Sequence, residues 1–382
     1  MPASSKASTD TDIFAALTAI NPFEKPPIVR EQNIWGESFP DVPSLNAVAS
    51  DSLFTAMKKV QAAESISEKV TSMVFTAERG VGKSHVIRRI RHRLQATGEG
   101  TFIYASADKY GDLDYVDALF QQSVAESLDQ LGSEGVTQWQ EIAALMVARA
   151  IRASNAKATV LAARDLVSKF DQVYHNSRAK NKDLVSDLSQ AIRRLKPNTD
   201  LYLLRAVIWT LSEERGSLAV KWLAGEPLST QDAADLRLPV QRQAESEKNA
   251  SALSFVCEIL ALVSEFKPLV VCFDELDTLA ANADGYTTVM VILDLVKRLV
   301  GAVCQSEHGN GIVILTVVQS DSWSHAKITK KYSSEKISSY GEPIELVYLN
   351  AGTICDLAAA TLQKFYEKKG LIAPTPIYPF DG

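Results

Sequence analysis

Cysteine is scarce in this chain: Cys257, Cys272, Cys304 and Cys355 are widely spaced, and no two form a CxxC pair. The five histidines show no ligand-like spacing either, so nothing points to a zinc-type site. No apolar run approaches the roughly 18 residues that a membrane helix needs, and no signal peptide is apparent. An excess of positive charge is also missing. Lys and Arg number 40 against 46 Asp and Glu, a net charge of −6. That gives no global pull toward nucleic acid, and any DNA contact has to use a local patch. These absences predict a cytoplasmic protein with no membrane partner.

What remains is ordinary globular material, 46% hydrophobic and 23% charged over 382 residues. That is enough for an ample core, and the length favours two or three domains.

The sharpest local signal is Ala77-Glu78-Arg79-Gly80-Val81-Gly82-Lys83-Ser84. It follows an apolar strand, Met73 to Thr76, and opens a helix running toward Gln95. Backbone N–H groups of such a turn, backed by a helix N-terminus, form a concave site for phosphates. Lys83 can reach β and γ phosphates, the Ser84 hydroxyl can ligate Mg²⁺, and His85 continues the contact surface. The usual first Gly is Ala77 here, which is tolerable only if its φ stays negative. The plain alternative is a Gly-containing turn with an incidental Lys, but strand and helix both sit where a phosphate loop needs them.

Residues 269–277 read LVVCFDELD. Five apolar residues before an acidic pair describe a strand buried on both faces, with Cys272 reduced inside it. A carboxylate at the carboxyl end of such a strand lies where open α/β sheets bind ligands. Asp274 would hold Mg²⁺ through its water shell, and Glu275 would polarise the water attacking a γ-phosphate. A solvated acidic turn is the plain alternative.

Together these segments resemble the Walker A and Walker B elements of AAA+ P-loop ATPases. The string Asp274, Glu275, Leu276, Asp277, Leu279 looks most like the replication-initiator and origin-recognition branch and related bacterial ATPases. The resemblance covers roughly residues 70–108 and 266–370. It implies a five-stranded, mostly parallel sheet with ATP and Mg²⁺ as ligands. It also implies a sensor-1 residue at the end of the strand Ile312 to Val318, for which Gln319 is the first candidate and Thr316 the second. A fifth strand, Ile344 to Tyr348, would lead into a helix from about Gly352 to Lys369, the start of a helical lid. Two features of the family are missing. Residues 321–350 contain no Arg to serve as a finger, and Lys327, Lys330, Lys331 and Lys336 lack the guanidinium fork. No later lid helix supplies a sensor-2 Arg. The ending PTPIYPFDG reads as a connector, which suggests a fragment, a truncated chain or a split system.

Organisation follows from these anchors. Residues 1–45 comprise a polar tail, disordered over 1–12, and a Pro-rich irregular segment. In that segment Ile28, Val29 and Trp35 either contact the adenine or cover a sheet edge. Residues 46–110 are the first part of the ATPase core. They start with a helix over 47–68 whose apolar positions are Val48, Leu53, Met57 and Val60. Residues 111–265 are an all-helical insertion of five to seven helices, broken at Pro197 and at 225–227. Residues 266–350 complete the core, and 351–382 hold a partial lid helix and a connector. Two basic concentrations stand out. Arg178, Lys180, Lys182, Arg193, Arg194 and Lys196 lie in the insertion, where they could meet nucleic-acid phosphates or form a solvated or protein-docking face. Arg88, Arg89, Arg91, His92 and Arg93 end the loop's helix, where they could also meet phosphates but are better accounted for as complementing its dipole. A DxxG string, Asp108 to Gly111, matches a GTPase element, but no Asn-Lys-x-Asp accompanies it, so ATP is favoured over GTP.

The sequence therefore predicts an ATP-binding, Mg²⁺-dependent ATPase that signals its nucleotide state to a protein partner or to further copies of itself. DNA-associated or antiviral-defence work is what the family resemblance suggests. A nucleotide-gated assembly switch with little hydrolysis is the main rival, and a P-loop small-molecule kinase a weaker one.

Overall fold

A computed structural model describes residues 10–24, 34–36, 41–240, 245–278, 280–305, 309–328 and 342–380. Its framework is a five-stranded parallel sheet: β1 (Val70–Thr76), β2 (Thr101–Ser106), β3 (Leu269–Asp274), β4 (Ile312–Val318) and β5 (Ile344–Glu345). The order across the sheet is β2-β3-β4-β1-β5. β2 to β4 are buried along their whole length, as expected of unbroken apolar runs in a parallel sheet.

That order contains a reversal. From β1 the chain crosses to β2 at the far edge, steps back through β3 and β4, and then passes beyond β1 to β5. Right-handed crossovers running in opposite directions leave on opposite faces. The carboxyl ends of β1 and β4 therefore flank a topological switch point, where open sheets hold ligands. Register aligns these ends: Val74 pairs with Thr316, and Thr316 with Phe273. Neighbouring strands are about 4.8 Å apart, which puts the ends of β1 and β3 roughly 10 Å from each other.

The helices, in chain order, are α1 (Asp10–Ala19), α2 (Ala47–Ala62), α3 (Lys83–Thr97), α4 (Val116–Leu128), α5 (Gln138–Ser154), α6 (Ala163–Ala179) and α7 (Leu184–Leu195). They continue with α8 (Leu201–Trp209), α9 (Gly216–Leu223), α10 (Thr230–Leu236), α11 (Glu245–Ser264), α12 (Thr288–Val303), α13 (Ser320–Ile328) and α14 (Ala351–Lys369). The chain divides into two compact units. One comprises Met1–Asp51, Ala77–Ile90 and Glu345–Gly382; the other comprises Ser52–Thr76 and Arg91–Ile344.

The second unit carries strands β1 to β4 and the stretch 111–265. One hydrophobic cluster joins Val74, Ile103, Phe273 and Ile314 of the sheet to Phe120, Trp139, Leu203 and Leu260 of the helices. Among the described residues the stretch 111–265 holds eight helices, more than the five to seven expected. The difference arises because α8, α9 and α10 are only seven to nine residues long and sit back to back. Buried Leu203, Trp209, Leu223 and Leu236 stabilise them where isolated helices of that length would not persist.

In the first unit α1 packs on α14 through Ile13, Leu362, Phe365 and Tyr366. The Tyr366 hydroxyl donates to the Tyr378 carbonyl at 2.6 Å. α1 already begins at Asp10, inside the tail expected to be disordered over 1–12; residues 1–9 lie outside the described residues. Two other boundaries also differ. α2 stops at Ala62, with a separate 3-10 turn over Ile66–Lys69. Val48 is 74% exposed, off the stripe of Leu53, Met57 and Val60. β5 ends at Glu345 rather than reaching Tyr348, because the Asn46 amide takes over the backbone of Val347. Asn46 Nδ2 donates to the Val347 carbonyl at 3.2 Å, and the Val347 N–H donates to Asn46 Oδ1 at 2.8 Å.

Candidate functional site

The loop lies in the first unit. Gly80 and Gly82 adopt φ of +85° and +99°, a region open to glycine and costly for other residues. Ala77, buried, keeps out of that region, so the missing first glycine carries no conformational penalty. Glu78, Arg79 and Gly80 are exposed, Val81 is buried, and Lys83, Ser84 and His85 are half-buried. The Gly82 carbonyl accepts from the N–H groups of His85 at 3.0 Å and Val86 at 3.2 Å, which starts α3 at Lys83. The first-turn N–H groups of a helix have no intrahelical acceptor and favour an anion.

Two segments brace this loop, residues 41–45 and Tyr348, and the first of them is itself tied to α14. Arg89 Nε donates to both carboxylate oxygens of Asp41 at 2.9 Å, and Nη1 donates to the Leu45 carbonyl at 2.7 Å. Nη2 donates to the Val42 carbonyl. Leu45 in turn approaches within 3.6 Å of where a Cβ on Gly82 would lie. The Tyr348 hydroxyl donates to the Arg79 carbonyl at 3.3 Å, and Ser44 Oγ donates to Asp356 at 2.7 Å.

The basic run on α3 is accordingly not a dipole complement. The helix continues to Thr97, and its last turn holds no basic residue. Arg88 and Arg91 are buried, and Arg89 ties α3 to residues 41–45. In the second unit, the Arg93 guanidinium stacks 3.9 Å from the centre of the Phe54 ring.

The acidic turn lies in the second unit. Asp274 ends β3 and is 1% exposed; its Oδ2 accepts from the Tyr104 hydroxyl at 3.0 Å. Burial pushes the Tyr104 phenol far above its ordinary range, and the negative charge of Asp274 adds to this, so Tyr104 stays a donor. Glu275, exposed, has φ +56°, one of four described non-glycine residues in the left-handed region. Such strain collects at functional sites. Asp277 Oδ1 accepts from the Gln319 N–H at 3.3 Å and so joins the turns that follow β3 and β4. Burial and the neighbouring Asp274 raise the Cys272 thiol well above its ordinary range, as expected of an inert, reduced side chain.

The two sensor candidates part company. Gln319 is half-buried and stands in this turn cluster. Thr316 is fully buried and shares the sheet face of its register partner Phe273, whereas Asp274 shares the face of Tyr104. The Thr316 and Ser320 hydroxyls are buried with no hydrogen-bond partner among the described residues. In the sequence Asp277 figures only as a member of the acidic string, without a role of its own, and Tyr104 carries no signal at all. Parallel β2–β3 pairing sets Tyr104 beside Cys272, one step short of Asp274, and nothing local in the sequence reports that register.

The oxygen donors of each unit suit magnesium better than a softer metal. Among the described residues no group of three or more His, Cys, Asp or Glu could cage a metal. Mg²⁺ prefers instead one or two protein oxygens plus phosphates and water; in the second unit the buried Asp274 carboxylate is an oxygen donor of that kind, and in the first unit the Ser84 hydroxyl is another. Ile28, Val29, Leu279, Lys330, Lys331, Lys336 and the side chain of Lys327 lie outside the described residues; Trp35 is half-buried. Asp108 of the DxxG string accepts from Ser106 Oγ, and buried Tyr110 shares a hydrogen bond with Ser123 at 3.2 Å. Both are internal ties.

The insertion's six basic residues are not one patch. Lys196 donates to Glu265 at 3.0 Å, and Arg149 donates to the same carboxylate at 2.7 Å. Burial raises the Glu265 pKa, but these two cations outweigh it and hold the group below its ordinary range. Arg178 and Lys182 line a separate cavity, while Lys180, Arg193 and Arg194 are simply exposed. No described helix is long and apolar enough to cross a membrane.

No protein-family model matches the chain, and no curated protein is similar to it in sequence.

Proposed function

We propose that the chain is an ATP-binding, Mg²⁺-dependent ATPase module of AAA+ type, in which loop 77–84 and the turn 274–277 serve one nucleotide. The observation that carries this reading is the loop itself. Two left-handed glycines lead directly out of a parallel strand and into a helix that begins at Lys83. Chain continuity adds to it, since the loop continues β1 and the acidic turn continues β3, strands with aligned ends on either side of β4.

In this reading the loop N–H groups and Lys83 bind the phosphates, and Ser84 and Asp274 hold the ion. When bound, Mg²⁺ neutralises charge on the β and γ oxygens. Tyr104 holds Asp274 in one orientation. Glu275 accepts a proton from the water whose oxygen attacks the γ-phosphorus as the bond to the β-phosphate oxygen breaks. Gln319 would orient that water. The products are ADP and inorganic phosphate.

A nucleotide-gated switch with slow turnover is the second reading, favoured by the absence of Arg from residues 321–350. The output of either goes to a protein partner or to other copies of the chain, in DNA-associated or defence work by analogy with the family. Phosphate release by the purified chain with Mg²⁺ and ATP tests the first reading. Release abolished by Glu275→Gln supports the ATPase; tight ATP binding with no Glu275-dependent release supports the switch. Absence of ATP binding refutes both.

A further inference from the structure

We infer that the helical insertion contains a second anion site, a cavity of about 310 Å³ that takes the phosphate group of a small phosphorylated molecule. The cavity is bounded by the ends of α6, α8 and α10 and the start of α7, all in the second unit. Its volume is at the lower end of the range for small-molecule pockets.

Charge argues for an anion. Four cations line the cavity, Arg178, Lys182, Arg205 and Arg237, against two carboxylates, Asp183 and Asp235. Only one carboxylate is paired with a cation, and the charge of the other, Asp235, also acts on Arg178. Asp183 pairs with Arg237 and caps α7 through the Ser186 N–H at 3.0 Å. Asp235 accepts from Gln231 Nε2 at 3.1 Å. Among the described residues no carboxylate is within ion-pair distance of Arg178, Lys182 or Arg205. Arg178 donates only to a neutral group, the Tyr174 hydroxyl, at 2.9 Å.

Arg205 decides the matter. It is 9% exposed, its Nη1 donates to the Arg237 carbonyl at 2.7 Å, and its Nε is buried with no hydrogen-bond partner. A guanidinium taken out of water without a counter-charge is costly. The carbonyl ends of α6 and α10 offset part of that charge, because helix C-termini favour cations. They also favour Arg178 and Lys182, and against the two carboxylates the four cations still leave a surplus of two positive charges in the cavity. A phosphate supplies the missing counter-charge, and a guanidinium binds it through a two-pronged fork.

Backbone geometry points the same way. Asn181 and Arg237, two of the four described non-glycine residues with positive φ, both line this cavity. The aromatic walls do not compete for a ring. Tyr174 and Trp209 pack edge to face at 5.0 Å, and Arg215 stacks on both. Recognition therefore rests on charge. A nucleic-acid strand fits less well, since it needs successive cations along a groove, and Lys180, Arg193 and Arg194 do not line the cavity.

The test uses the full chain carrying Lys83→Ala, so that the loop does not contribute. Inorganic phosphate, pyrophosphate and AMP are titrated by calorimetry at constant ionic strength. We expect saturable 1:1 binding of at least one of them. Losing charged hydrogen bonds weakens binding roughly ten- to hundredfold, and this is the loss expected in the exposed double variant Arg178→Ala/Lys182→Ala. Its unliganded melting temperature should be unchanged. Arg205→Lys keeps the charge but not the fork and should also weaken binding. Absence of saturable binding, or affinity unchanged in the double variant, overturns the site. Preferential binding of a single-stranded oligonucleotide that the same variant abolishes also overturns it, in favour of a strand track.

Discussion

The Tyr104 hydroxyl donates to Asp274 Oδ2 at 3.0 Å, across neighbouring strands and out of reach of solvent. The bond fixes the one buried acid at the end of β3 and leaves its partner Glu275 in the solvent. Tyr104→Phe removes the donor but keeps the ring. Stability should fall by about 1–3 kcal/mol, the cost of a buried acceptor left unmet. If Asp274 holds the ion, the Mg²⁺ concentration for half-maximal turnover should rise several-fold while metal-free ATP binding changes little. A magnesium titration beside thermal unfolding reads both.

Glu275 combines a strained backbone with the proposed proton-accepting role. Glycine is unstrained at φ +56°, so Glu275→Gly relieves the roughly 1–2 kcal/mol of left-handed strain. Glycine's extra unfolded-state entropy offsets part of this. Melting temperature should stay level or rise, and phosphate release should vanish. Glu275→Gln should stop release with ATP affinity preserved. A destabilised Gly variant would show that the side chain, not the backbone, holds this turn.

Arg89 secures residues 41–45 beside the loop. Arg89→Ala breaks bonds to one carboxylate and two carbonyls and should cost roughly 2–4 kcal/mol. Arg89→Lys should rescue little, because an ammonium cannot span the same three acceptors. Limited proteolysis near residues 41–46 should accelerate in both variants.

The cysteines give a pH prediction with a definite sign. Burial, then the charges of Glu258 and Asp117, push the Cys257 thiol up to about 11; burial also raises Cys272 and Cys304. A raised folded-state value means the folded protein keeps protons that the unfolded chain releases. This contribution is fully present below the unfolded thiol's pKa of about 8.5 and is lost as pH rises toward 11. Stability should therefore decline over that window. At pH 8 iodoacetamide should label exposed Cys355 well ahead of the other three, which mass spectrometry resolves.

The elements that were legible in the sequence are those with one-dimensional signatures. β3 and β4 are unbroken apolar runs, α14 begins at its Asn350 cap and ends at Gly370, and the loop glycines sit where φ must be positive. Features set by other parts of the chain were not legible. Val48 fits a helical spacing counted loosely by fives, yet the buried face runs through Ala49, Leu53, Met57 and Val60 and leaves it out. The end of β5 depends on an amide from Asn46, about 300 residues away. The basic run 178–196 reads as one patch, but α6 and α7 fold its members into different surroundings. Tyr104 carries no motif at all, and only strand register gives it a role.

In the proposed function Ser84, the last residue of the loop, and Asp274 at the end of β3 hold the same ion. A double-mutant cycle with Ser84→Ala and Asp274→Asn, read on the Mg²⁺-dependent part of ATP affinity, tests it most directly. A coupling of about 1 kcal/mol or more between the two changes is expected, since each removes a ligand of one metal. Effects that add to within about 0.5 kcal/mol would contradict it, as independent, distant sites behave that way.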